Sequence, residues 1–158
     1  MGRVVTESEL QDLVRQDRAE GRTIAFANGC FDLIHVGHVR YLEAAAAEAD
    51  RLIVAINDDA SVARLKGAGR PIYPAAERAE ILLALRWVDH VTVFPEDTPL
   101  VTIERVRPDV LVKGAEYRKK DIVGASFVGG YGGQVVRVPM KKGHSTRQLV
   151  RRMSERRG

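Results

Sequence analysis

Two short segments, TIAFAN at residues 23–28 and LIVAIN at 52–57, carry apolar side chains at consecutive rather than alternate positions. A strand that is apolar on both faces must be covered on both faces, which is the situation of a parallel sheet between two helical layers. Three further short runs, His90 to Phe94, Val110 to Lys113 and Val135 to Val138, read as strands. The segments between them are helical in character. Thr6 to Glu9 forms a Thr-x-x-Glu capping box ahead of Leu10, Leu13 and Val14, and that helix ends near Gly21. Helices are also expected over Val36 to Asp50, Asp59 to Leu65, from Pro74 at N1 to about Arg86, over Pro99 to Val106, and from Ser145 onward. Gly129 to Gly133 reads as one flexible turn before the last strand. The expectation is a single α/β, Rossmann-like domain over residues 1–158, with a five-stranded parallel sheet flanked by helices on both faces. Residues 1–22 form an N-terminal helical extension and 141–158 a basic C-terminal helix.

Composition narrows the function classes. With 45% hydrophobic and 29% charged residues, the chain has the balance of a globular domain rather than a disordered one. No apolar run approaches the ~20 residues that span a bilayer. The first residues carry early acids and no apolar core, unlike a secretory leader, and one cysteine forms no internal disulfide. A cytoplasmic protein without membrane contact is expected. From Lys141 onward, seven Lys/Arg stand against one acid, although the whole chain is only +4. Three readings of that tail remain open: a solvated cationic helix, a positive rim for polyphosphate substrates, and, less favoured, a nucleic-acid surface.

In open parallel sheets, ligands bind beyond the carboxyl ends of the strands. The first strand is followed there by Asn28-Gly29-Cys30-Phe31-Asp32-Leu33-Ile34-His35-Val36-Gly37-His38. Dinucleotide, P-loop, zincin, esterase-elbow and CxxC signatures are all missing. What stands in their place is a glycine turn and two histidines opening a helix. Free backbone N–H groups and the helix dipole make that an anion site, and two imidazoles add donors for a phosphoryl group. Gly37 keeps the space between them clear of a side chain. A zinc site built on His35 and His38 would need His90 or His144 and lacks a thiolate pair.

This stretch resembles the HxGH, cytidylyltransferase-like nucleotidyltransferases. The resemblance continues through Arg64-Leu65-Lys66-Gly67, Arg70-Pro71, Glu77-Arg78, Trp87-Val88-Asp89, Glu96-Asp97-Thr98-Pro99, Pro108 to Gly114, Tyr117 and Ser145-Thr146. It covers about residues 23 to 155, and the order of segments is most similar to the adenylyltransferase domain of ADP-heptose synthases. It implies transfer of AMP from ATP to D-glycero-D-manno-heptose 1-phosphate by direct in-line attack, with release of pyrophosphate. It also implies His35, His38 and Lys66 as catalytic groups, and nucleotide contacts from Asn28, Gly29, the backbone of Phe31 and Asp32, Gly37, Lys113, Gly114, Ser145 and Thr146. Arg70 and Arg78 are candidate phosphate ligands. Magnesium is expected on the ATP phosphates rather than in a protein cage, and a homodimer is expected.

Related chains often carry Ser-Thr-Thr where Arg147 follows Ser145-Thr146, which leaves the third contact open. Cys30 reads as a small packing residue, Trp87 as core, Asp89 as a structural residue before the third predicted strand, and Tyr117 as a candidate for the sugar pocket. A glycerol-3-phosphate cytidylyltransferase is the nearest alternative. It is disfavoured because Lys113-Gly114-Ala115-Glu116-Tyr117 stands where a Gly-Asp-Asp-Trp segment is usual. A non-catalytic nucleotide-binding module is the alternative outside enzymes.

Overall fold

The computed structural model describes residues 2–139 and 145–156. Lys141, Lys142, His144 and Arg157 of the basic tail lie outside them. The elements in chain order are β1 (Arg3–Val4), α1 (Glu7–Ala19), β2 (Ile24–Gly29), α2 (Val36–Ala46), β3 (Arg51–Asn57), α3 (Asp59–Lys66) and α4 (Ala75–Leu83). They continue with β4 (His90–Phe94), α5 (Leu100–Val106), β5 (Val110–Gly114), a 3₁₀ turn at Lys119–Asp121, α6 (Ala125–Gly130), β6 (Gln134–Val138) and α7 (Thr146–Glu155). All strands pair in parallel, in the order β1-β4-β3-β2-β5-β6.

The three-layer α/β class is as the apolar runs required. Ala25, Ala27, Leu52, Val54 and Ile56 face one layer with Leu42 and Ala45 of α2 and Ala79 and Leu82 of α4. Their neighbours Ile24, Phe26, Ile53 and Ala55 face the other, with Leu10 and Val14 of α1 and Ile103 and Val106 of α5. Each of these residues is essentially removed from water, so both faces contribute hydrophobic stabilisation in proportion to area.

The sheet has six strands, not five. The sixth is the two-residue β1, whose Arg3 and Val4 lie beside His90 and Val91. Two residues carry no periodicity, so the run-up to α1 hides an edge strand. The Thr6 capping box forms as read: the Thr6 N–H donates to Glu9 at 2.8 Å, and the Glu9 N–H donates back to Thr6 Oγ1 at 3.3 Å. α2 stops at Ala46, short of Asp50. Asp50 instead accepts from the Thr23 N–H and hydroxyl, both at 2.8 Å, which ties the turn to the start of β2. Pro74 and Pro99 sit at the N-cap, one residue outside their helices.

Gly129 and Gly130 are not a loose turn but the end of α6. That helix starts after Gly124, whose φ is +84° and where a Cβ would meet Ile103 at 2.8 Å. Only glycine satisfies both demands there. Trp87 is half-exposed rather than core, with the Arg86 guanidinium 5.0 Å over its ring. Asp89 is structural, accepting the Leu52 N–H at 2.8 Å. No helix among the described residues is long and apolar enough to cross a membrane.

Candidate active site

The strand order reverses between β2 and β5. β3 and β4 continue to one side of β2, while β5 and β6 lie on the other. The crevice beyond that switch point collects the turn after β2 and the end of β5. A cavity of about 180 Å³ opens there. Its wall includes Asn28, Gly29, Phe31, Asp32, His38, Lys66, Arg70, Lys113, Gly114 and Thr146, so segments far apart in the sequence meet in one place.

The geometry of the two histidines follows from the start of α2. His35 is the N-cap, with extended φ −134° and ψ 173°. The Gly37 N–H donates to His35 Nδ1 at 3.1 Å, and the His35 N–H donates to His38 Nδ1 at 3.2 Å. Two helix-start N–H groups are thereby satisfied by imidazoles. A ring nitrogen that accepts carries no proton, so the neutral His38 ring holds its proton on Nε2. The rings lie 3.9 Å apart, and the Phe31 ring backs His38 at 5.2 Å. Phe31 itself has φ +49°, a left-handed turn for a side-chain-bearing residue, and it is buried. His38 reaches the cavity wall, and the His35 N–H on its Nδ1 fixes the orientation of the ring.

Burial, with the fields of His35 and Lys66 added, lowers the His38 pKa from 6.5 to about 4. The ring is neutral in the folded protein through the physiological range. Its folded-state pKa lies below the unfolded one, so unfolding takes up a proton between pH 6.5 and 4. Acidification through that window therefore removes stability. An NMR titration of the His38 ring should show the Nε2–H tautomer with a midpoint near 4, and an ordinary midpoint near 6.5 would overturn this environment.

Asp32 contributes more than backbone. Its carboxylate is buried and accepts from Arg70 Nε at 2.5 Å, the Ile72 N–H at 2.7 Å and the Tyr73 N–H at 3.1 Å. Burial raises its pKa, but the Arg70 guanidinium and the two N–H groups outweigh it and the net shift is downward. Asp32 thus fastens the 67–73 loop to the turn after β2. Gly67 and Gly69, with φ +99° and +80°, give that loop its reversals. Lys66 ends α3 at the foot of the loop and is exposed towards the cavity.

Arg78 is not a phosphate ligand. It is fully buried and donates to the carbonyls of Tyr73 at 2.9 Å, Cys30 at 2.7 Å and Asn57 at 2.9 Å, and to Asp59 at 2.8 Å. Its fork joins the turn after β2, the end of β3 and the loop before α4. Ser145 caps α7, its Oγ accepting the Gln148 N–H at 3.2 Å, and it is off the cavity wall. Thr146 is on the wall and donates to the Leu33 carbonyl at 3.3 Å.

Lys113 lies 5.0 Å over the Tyr117 ring. Burial lowers its pKa against the opposing pull of Glu116. Burial likewise pushes the Cys30 thiol up, which keeps it protonated and supports a packing role rather than a nucleophile's. Two wall residues escape sequence reasoning. Tyr41, which donates to the Val112 carbonyl at 2.8 Å, is one turn past His38 on the same helix face. Glu116 follows Lys113-Gly114 closely and folds its carboxylate over Gly114.

Comparison with known proteins agrees with this geometry. The cytidylyltransferase-like family model matches residues 26–142. Bifunctional protein HldE of Halorhodospira halophila is 52% identical over 153 residues, covering 97% of this chain and 32% of that protein. The protein of the same name from Syntrophotalea carbinolica is 47% identical over 147 residues, 93% of this chain and 30% of the other. The chain therefore spans about a third of the length of these relatives. Among solved structures, a lipopolysaccharide core biosynthesis protein from Thermoplasma volcanium is 27% identical with a TM-score of 0.63, covering 78% of this chain and all of that one. Pantothenate synthetase from Thermus thermophilus, 17% identical with a TM-score of 0.61 over 88% of this chain and 62% of its own, shares the fold.

Proposed function

The chain belongs to the cytidylyltransferase-like family, and on that premise we propose that it transfers AMP from ATP to D-glycero-D-manno-heptose 1-phosphate. The observation that carries this reading is the pair of imidazoles locked at the start of α2, with His38 sharing one cavity wall with Lys66, Arg70 and Thr146. A phosphate oxygen of the sugar 1-phosphate attacks the α-phosphorus of ATP. The bond from that phosphorus to the bridging oxygen breaks on the opposite side, and pyrophosphate leaves with the electron pair. The products are ADP-heptose and pyrophosphate, and no protein side chain becomes covalently attached.

Such a reaction needs positioning and preorganised donors more than a nucleophile. His38 Nε2–H supplies a neutral donor to the α-phosphoryl oxygens. Lys66 supplies exposed positive charge at the end of α3, and Arg70 supplies charge anchored by Asp32. Lys113 and Gly114 border the base. The Asp32 carboxylate is engaged with Arg70 and two N–H groups, which suits a magnesium ion carried by the triphosphate. Bound there, the metal supplies neutralisation of the departing pyrophosphate.

The relatives are named as bifunctional, and a match to about a third of their length fits a part that carries one of the two activities. A cytoplasmic setting and a homodimer complete the reading. Val36, Ile72 and Tyr73 are individually exposed apolar side chains of the kind a second copy covers, and a sedimentation measurement decides the point.

The test is pyrophosphate release with ATP or CTP crossed against both anomers of the heptose 1-phosphate, glycerol 3-phosphate and phosphopantetheine. Release with ATP and a heptose 1-phosphate is expected. Release only with CTP and glycerol 3-phosphate would select the cytidylyltransferase alternative, and none with any pair would leave a nucleotide-binding module.

A further inference from the structure

Beside the cavity walled by His38 and Arg70 lies a second compartment of about 360 Å³ on the α5 side. The two share Asn28, Gly29, Cys30, Lys66, Lys113 and Tyr117, so they meet along one seam. Lys66 and Lys113 both belong to that seam, and the Lys66 charge acts on Lys113. Away from it, the chemistry of the two spaces diverges. The first has His38, Arg70 and Thr146, all groups that donate to phosphate. The second has Asp97, Thr98, Asp121 and Asn57, with Leu65, Pro99, Ile122 and Val123, and no cation of its own among the described residues.

A wall with two carboxylates accepts hydrogen bonds from hydroxyls and gives a phosphate no donor. Both carboxylates are held from outside, Asp97 by Arg64 Nε at 2.8 Å and Asp121 by Arg118 Nε at 2.7 Å. Each pairing leaves acceptor capacity on the carboxylate. Asn57, by contrast, is committed: its amide donates to Ser61 at 2.7 Å and to the Glu96 carbonyl at 3.3 Å. It is therefore wall rather than ligand. Tyr117 and Ile122 add apolar surface of the kind that covers a sugar's C–H face.

We propose that this compartment holds the polyhydroxyl body of the phosphorylated acceptor, read by Asp97, Thr98 and Asp121, while Lys66 at the seam takes its phosphate. The assignment rests on the nucleotidyl-transfer reading above. An acceptor lying this way brings its phosphate to the boundary of the nucleotide cavity, where the α-phosphorus must be. It also predicts selection for acceptors with several hydroxyls beyond the phosphate, because a carboxylate left without its hydroxyl partner loses a charge-assisted hydrogen bond.

The test compares Asp97→Asn, Thr98→Val and Asp121→Asn with the parent chain. KM for heptose 1-phosphate and for ATP is measured by pyrophosphate release, and binding of heptose 1-phosphate is measured separately by calorimetry. Each variant should weaken the sugar phosphate by about tenfold, the loss of one good hydrogen bond, and leave KM for ATP within about twofold. A rise in KM for ATP with the acceptor unaffected would assign the compartment to the nucleotide. Unchanged values for both would remove it from the substrate path. Absence of turnover in the parent chain would count against the transfer reading alone, since the calorimetric loss still reports on the compartment.

Discussion

Replacing His38 with alanine is expected to lower turnover by about two to three decades while KM for ATP moves little. The size follows from removing one preorganised donor aimed at developing phosphoryl charge. The direction of the split follows from the cavity. Lys66, Arg70 and Thr146 remain to hold the ground-state triphosphate, so the loss falls on the transition state and appears in kcat. Two features make His38 the more exposed of the pair to this test. It reaches the cavity wall, and its Nδ1 is already occupied by the His35 N–H. Only Nε2 is left to act, and the pKa of about 4 keeps its proton there as a neutral donor. The His38→Ala variant loses one helix-start acceptor as well, worth about 1 kcal/mol. A small drop in melting temperature is therefore expected alongside the large drop in rate. Near-normal turnover would refute the role, and a parallel rise in KM for ATP would make His38 a binding group instead.

Much of this site is legible before any coordinates, and what is not has physical reasons. Apolar runs such as 52–57 announce strands covered on both faces, and a glycine turn with two histidines announces an anion site at a helix start. β1 is too short to have a period. α6, at ASFVGG, has the glycine content of a loop and is held by burial of Val128 and by the close approach at Gly124. In sequence, Asp32 reads as a backbone contact, because a carboxylate is out of place beside a triphosphate. After a left-handed Phe31, however, its side chain turns towards the 67–73 loop and organises Arg70. Arg78 is the opposite case. In sequence it is one more cation near Arg70, and only packing reveals that three carbonyl groups and Asp59 have used every arm of it.

That difference gives Arg78 its own large effect. Arg78→Met keeps length and apolar bulk but leaves the Cys30, Asn57 and Tyr73 carbonyls without their donor and Asp59 without its partner. Losing one member of a buried charged network costs on the order of 3–5 kcal/mol, a large part of the ~5–15 kcal/mol that holds a domain folded. The urea midpoint should fall accordingly. Arg78→Lys should rescue little, since one ammonium cannot reproduce a planar fork that serves three segments at once. The phosphate-ligand alternative predicts the reverse pattern, with stability retained and KM for ATP raised severalfold. Because Arg78 ties the turn carrying Phe31 and Asp32 to the end of β3, partial loosening should also blunt kcat in whatever protein remains folded. A variant of normal stability with weakened ATP binding would show that this arginine faces the substrate after all.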